Sequence, residues 1–189
     1  TDLLFKYLFW LRLASYAEQP HVRKWHPLLY IVARWRHRRH TLKCGIQIAR
    51  GTKIGPGMHL SHFGGIVVNR NVVIGRNCNL AHQVTLGTTQ RGARAGTPVI
   101  GDNVYIGPGA MIVGALTIGD YAAIGANAVV SRDVEAHGVA AGIPAKVISE
   151  EGSAGYVNDT DYEAHLPWYD GPFREEESSL QERSEDVAE

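Results

Sequence analysis

An aliphatic residue stands at every sixth position from Ile100 onward: Ile100, Ile106, Ile112, Ile118, Ile124 and Val130. Six is the period of neither a helix nor a hairpin. Two positions before each stands a small or apolar residue, namely Pro98, Val104, Ala110, Leu116, Ala122 and Ala128, and glycine directly follows four of the six aliphatics. A short strand followed by a turn, with two inward positions per hexad, produces this pattern. The same register continues backward through Leu86, Leu80, Ile74 and Val68, then through Leu60, Ile54 and Ile48. Taken three to a coil, these hexads predict just over four triangular coils, with strands about 4.8 Å apart along the stack.

The register slips twice. Leu60 to Val68 spans eight residues and Leu86 to Ile100 spans fourteen, so extra residues lie near His62-Phe63-Gly64-Gly65 and within 88–96. Interruptions of a stacked repeat tend to lie on a binding face, because the scaffold gains nothing from them. These two loops are therefore the first places to look for a site.

The chain has 189 residues and no net charge, yet its ends differ sharply. Residues 1–60 hold 11 Lys+Arg against 2 Asp+Glu, a net +9, whereas residues 150–189 hold 2 against 13, a net −11. The organisation expected is an N-terminal helical cap over 1–43, a coil domain over 44–148 and a tail over 149–189. In the head, helices are expected near 3–16 and 28–38, the second with Pro27 at a favoured first position. Apolar residues all round the first helix predict burial. The tail is acidic and expected to be disordered from about Arg174, while Tyr156, Tyr162, Trp168, Tyr169 and Phe173 could pack on the coil or on a neighbouring subunit. Cys44 and Cys78 form no C-x-x-C and read as small buried hydrophobes in a reducing, cytoplasmic setting. No signal peptide or membrane span is evident in 3–13.

Several segments together resemble the serine acetyltransferase branch of the hexapeptide-repeat acyltransferases. They are residues 54–65, Val84-Thr85-Leu86-Gly87, the Ile-Gly hexads and Ala141-Gly142-Ile143-Pro144-Ala145-Lys146. The resemblance covers roughly 45–148. It implies an all-β core folded as a left-handed parallel β-helix, a homotrimer with sites between subunits, and acetyl-CoA as co-substrate. His62 matches the family's general base. A neutral imidazole near pH 7 suits that role, taking a hydroxyl proton as the hydroxyl attacks a thioester. An amide N–H of a slip loop could serve the oxyanion. Gly107, Gly125 and Ala126 match positions lining the pantetheine groove, and Lys146 matches a basic residue near the CoA phosphates.

The acceptor side departs from the family pattern. Ser61 stands where an aspartate helps to hold serine, and Gly96-Thr97 stands where Arg-His is usual. Gln47 replaces the carboxylate expected to orient the base, and it could accept a hydrogen bond from the ring. His82 follows Leu80 as His62 follows Leu60, so the two should stack on adjacent coils, with His82 either contacting acceptor or marking a surface turn. With the charged serine-pocket residues missing, the reading is acetyl transfer to a sugar or glycan hydroxyl. Serine O-acetylation for cysteine biosynthesis is the alternative, and a non-catalytic trimeric scaffold is the rival of another class. No metal is expected, since His59, His62 and His82 lack the spacing of the γ carbonic anhydrases. Arg91 and Arg94 could meet CoA or an anionic acceptor. The basic tract Arg34-Trp35-Arg36-His37-Arg38-Arg39-His40 reads as pairing with the acidic tail. It leaves open a peripheral contact with the inner membrane face, and gives no compelling nucleic-acid reading.

Overall fold

A computed structural model describes residues 2–157. Most of the predicted tail, including Tyr162, Trp168, Tyr169, Phe173 and the run Glu175-Glu176-Glu177, lies outside the described residues. The 44–148 region is a parallel β-helix with three faces. Its first face stacks Ile46–Ile48, Ile66–Val68, Thr85–Gly87, Met111–Val113 and Val129–Val130. The second stacks Lys53–Ile54, Val73–Ile74, Val99–Ile100 and Thr117–Ile118. The third stacks His59–Leu60, Asn79–Leu80, Tyr105–Ile106, Ala123–Ile124 and Val139–Gly142, and Ala145–Ser149 then pairs antiparallel to close that face.

The register follows the hexads. Leu60 pairs with Leu80, Leu80 with Ile106, and Ile106 with Ile124, so like aliphatics stack in columns. Ile100, Ile106, Ile112, Ile118 and Ile124 are each at most 1% exposed. The stack runs to about five coils rather than just over four. After Val130 the spacing shortens to four residues, putting Val134 beside Ile118 and Ala140 beside Ile124, both buried. A six-residue count breaks at that step and misses the last coil.

Corners between faces need left-handed backbone. Asn77, Asn103, Tyr121 and His137 take positive φ of 54–61° at one corner of successive coils, and Asn77 Nδ2 donates to Asn103 Oδ1 at 2.9 Å. Asparagine tolerates this region better than most residues. Histidine shares some of that tolerance, whereas tyrosine does not, and Tyr121 and His137 stack on each other with their rings nearly parallel. Residues 152–157 return along the same corner: Ser153 Oγ donates to the Asn103 carbonyl at 2.6 Å, and Tyr156 stacks on Tyr105. The packing expected of Tyr156 is therefore found.

The head caps the first coil. Three helices form, α1 (Asp2–Ala17), α2 (Pro20–Trp25) and α3 (Pro27–Cys44). The second helix was not expected and the third runs six residues further than predicted, ending at Gly45 in the left-handed conformation. Leu4, Tyr7 and Leu11 of α1 join the coil's core. Arg12 donates to the carbonyls of Ile54 and Gly55, and the Ile48 amide donates to the Tyr7 hydroxyl. These contacts satisfy edge groups that an open end would leave to solvent. Burial of α1 is one-sided, against the sequence expectation, for Phe5 is 69% exposed. Cys44 and Cys78 are buried and unpaired, as expected.

His37 of α3 is 4% exposed against the Tyr7 ring, and neither ring nitrogen has a hydrogen-bond partner among the described residues. Burial, reinforced by the nearby Arg50 guanidinium and His40, pushes its pKa down to about 4, with Glu18 opposing. An unfolded histidine titrates near 6.5. The unfolded state therefore binds the proton first as pH falls, and stability drops between about pH 6.5 and 4. His37→Phe should flatten that part of the urea-midpoint profile relative to the parent, by up to about 3 kcal/mol at the acid end. In the coil, Ile106→Ala should cost about 2–5 kcal/mol by the same denaturation measurement.

Candidate active site

The first slip, residues 61–65, swings out where the third face turns into the first. Gly64 and Gly65 donate to the carbonyls of Cys44 and Gly45 at 2.9 Å, which ties the bulge to the end of α3. Gly65 takes φ +71°, and a Cβ there would come within 2.9 Å of the Gln83 side chain. The loop can therefore lie close to the next coil only with glycine. Because both amides are occupied, neither can serve an oxyanion.

This geometry leaves His62 exposed at the corner, its ring edge against the His82 ring of the next coil with centroids 5.6 Å apart. The predicted stacking of the two histidines is found. His82 Nδ1 is buried without a hydrogen-bond partner among the described residues, while its carbonyl accepts from Gly109. The pair is held by coil register rather than by hydrogen bonds.

Register also aligns the expected cofactor positions. Counting one residue beyond the paired inward positions Leu60, Leu80, Ile106, Ile124 and Ala140 gives Ser61, Ala81, Gly107, Gly125 and Ala141; counting two gives His62, His82, Pro108, Ala126 and Gly142. A strip of small residues thus runs along one corner from His62, over four steps or roughly 19 Å. At its far end Lys146 pairs in register with Ala141 and is exposed. His62, His82, Gly107, Gly125, Ala126 and Lys146 all belong to this one edge. The two glycines also have a scaffold reason: a Cβ on Gly107 would sit 2.8 Å from the Ile124 carbonyl oxygen, and one on Gly125 would sit 3.0 Å from the Ala141 Cβ. Ser61 is half-buried on the strip, its amide donating to the Leu80 carbonyl.

Gln47 does not join them. It lies in the middle of the first face, and no described residue, Gln47 included, hydrogen-bonds the His62 ring. The resemblance implies a place beside the base, but position 47 faces a groove under α3.

Gly96 and Thr97 lie elsewhere too. The second slip, 88–98, leaves from the first-to-second corner and folds back on itself through a Thr89 to Gly96 bridge. Thr97 Oγ1 donates to the Asn71 carbonyl, and Arg94 pairs with Asp133 at 2.9 Å. The Thr117 amide, and then Arg94, hold the Asp133 carboxyl below its usual range. Arg94 thus fastens the loop to the last coil instead of waiting for an anion. His62 and Thr97 occupy opposite ends of the first face. Within one chain they cannot share an acceptor.

Residues 97–132 match the bacterial transferase hexapeptide (six repeats) family. The serine acetyltransferase of Helicobacter pylori is 37% identical over 122 residues, covering 65% of this chain and 71% of that protein. Serine acetyltransferase from Brucella abortus in complex with coenzyme A superposes with a TM-score of 0.66 at 30% identity, over 77% of this chain and 55% of that one. Soybean serine acetyltransferase complexed with serine gives 0.62 at 34%, over 75% and 56%. The chain spans about half the length of these solved structures. Coil register, an exposed corner histidine and this likeness lead to one conclusion: the chain belongs to the serine acetyltransferase branch of the hexapeptide-repeat acyltransferases.

Proposed function

We propose that the chain transfers an acetyl group from acetyl-CoA directly to the hydroxyl of a small acceptor, with serine the first candidate. The observation that carries this reading is the single edge joining His62 to Lys146. An extended pantetheine arm laid over Pro108 and Ala126 would bring its thioester to His62 and its phosphates toward Lys146. His62 takes the hydroxyl proton while the acceptor oxygen adds to the thioester carbonyl. The tetrahedral intermediate then collapses, the C–S bond breaks, and the imidazolium returns the proton to the departing CoA sulfur. His82, edge-on to His62, fixes the ring plane and borders the acceptor.

The glycan acceptor expected from the missing charges gains no support from the comparisons, which favour serine. Ser61, Gly96 and Thr97 remain the observation on the other side, since none supplies a charge for an amino acid. If Gly96 and Thr97 do reach the acceptor, they come from a second copy, so the working unit is a closed oligomer with sites between subunits, a trimer by resemblance. A membrane-surface role has nothing further behind it; no helix of the described residues is long and apolar enough to cross a membrane.

Assaying free thiol release with acetyl-CoA and serine, nucleotide sugars or oligosaccharides tests the reading. We expect serine turnover, and a fall in kcat/KM of about 10²–10⁴ for His62→Ala with the melting temperature unchanged. Turnover only with saccharides would replace serine by the glycan reading, and absence of acetyl-CoA binding would favour a scaffold. Ala126→Trp fills the strip at an exposed position. It should raise KM for acetyl-CoA at least about tenfold and leave kcat nearly intact.

A further inference from the structure

The groove that Gln47 faces, about 1000 Å³, lies between α3 and the first face at the capped end of the coil. Its charge is lopsided. Five arginines line it, Arg23, Arg34, Arg38, Arg50 and Arg70, against the single carboxylate of Glu18. Glu18 is already engaged by Arg50 at 2.7 Å. Arg23 and Arg34 lie over the Tyr30 ring, at 5.9 and 5.2 Å from its centroid, which orients their guanidinium planes. Arg38 and Arg70 have no carboxylate partner among the described residues.

A second observation points the same way. The His37 ring lines the groove while 4% exposed, and both its nitrogens are unpartnered. A buried polar group without a partner is costly, and an occupant that accepts its N–H recovers that cost. Being neutral near pH 7, the ring offers one donor without adding charge. Guanidinium forks beside a neutral donor match the tetrahedral oxygens of phosphate better than a planar neutral ligand.

We propose that this groove binds a phosphate-bearing ligand, its phosphoryl oxygens held by Arg38 and Arg70 and by the His37 ring N–H. The groove sits on the first two coils, and the strip toward Lys146 runs to the opposite end of the stack. Within one chain the phosphates of CoA laid along that strip are therefore remote from it. The site stands independently of acetyl transfer, because its evidence and its test concern binding alone.

Inorganic pyrophosphate is the probe, titrated calorimetrically into the full chain against sodium chloride of matched ionic strength. We expect saturable binding, at least tenfold weaker in the double variant Arg38→Ala/Arg70→Ala. Both residues are exposed, so that variant should keep the parent melting temperature. His37→Phe preserves the ring against Tyr7 and removes the donor; it should weaken binding at least threefold while the unliganded protein melts no lower. Chloride reproducing the effect, or variants binding as the parent does, would overturn the proposal. Repeating the titration with saturating CoA distinguishes the sources: undiminished binding indicates a separate phosphate ligand, whereas displacement indicates CoA phosphates reaching the groove from a neighbouring copy.

Discussion

Everything in this chain hangs on the hydrogen-bond ladder between successive coils. Gly107 donates to the Ile124 carbonyl at 2.8 Å and Gly125 to that of Ala140 at 2.8 Å, each amide satisfied by the coil above it. A ladder of that kind fixes the register of each strand against the next, and the hexads supply that register while the two slips loop out between strands. The spacing also determines which side chains meet: inward positions build a continuous column of aliphatics, and corner positions build the strip that ends at His62. Function and fold thus share a constraint, because shifting a coil by one residue would turn core outward and displace the histidine.

The parts of the fold that repeat were legible in the sequence, since six near-identical selections by one geometry leave a period. Both slips were legible as breaks in it, and the first marks the exposed histidine. Features arising once were not. α2 is a six-residue helix with no hydrophobic period to betray it, although Pro20 at its start is a signal a closer reading could use. The fifth coil escapes a six-residue count because its spacing shortens to four at Val134. Linear correspondence with the family places Gln47 at the base, whereas its surroundings are decided by where α3 packs. The arginine groove draws on residues from 18 to 70 on two helices and two coils, and only tertiary structure gathers them.

The site's unusual property is how little of it hydrogen-bonds. His62 rests edge-on to His82 with no carboxylate behind it among the described residues, and Gly96 and Thr97, expected at the acceptor, stand at the other end of the first face. The proposed completion by a second copy would bring one chain's corner to another's loop. The capped end adds an argument for polarity: helices and arginines at one end, Lys146 and the closing antiparallel strand at the other.

The most direct measurement is a crystal structure with CoA bound. The account predicts pantetheine extended over Pro108 and Ala126, its sulfur within reach of the His62 ring and its phosphates at the Lys146 end. CoA bound along another edge, or with its sulfur at the Lys146 end, would contradict it.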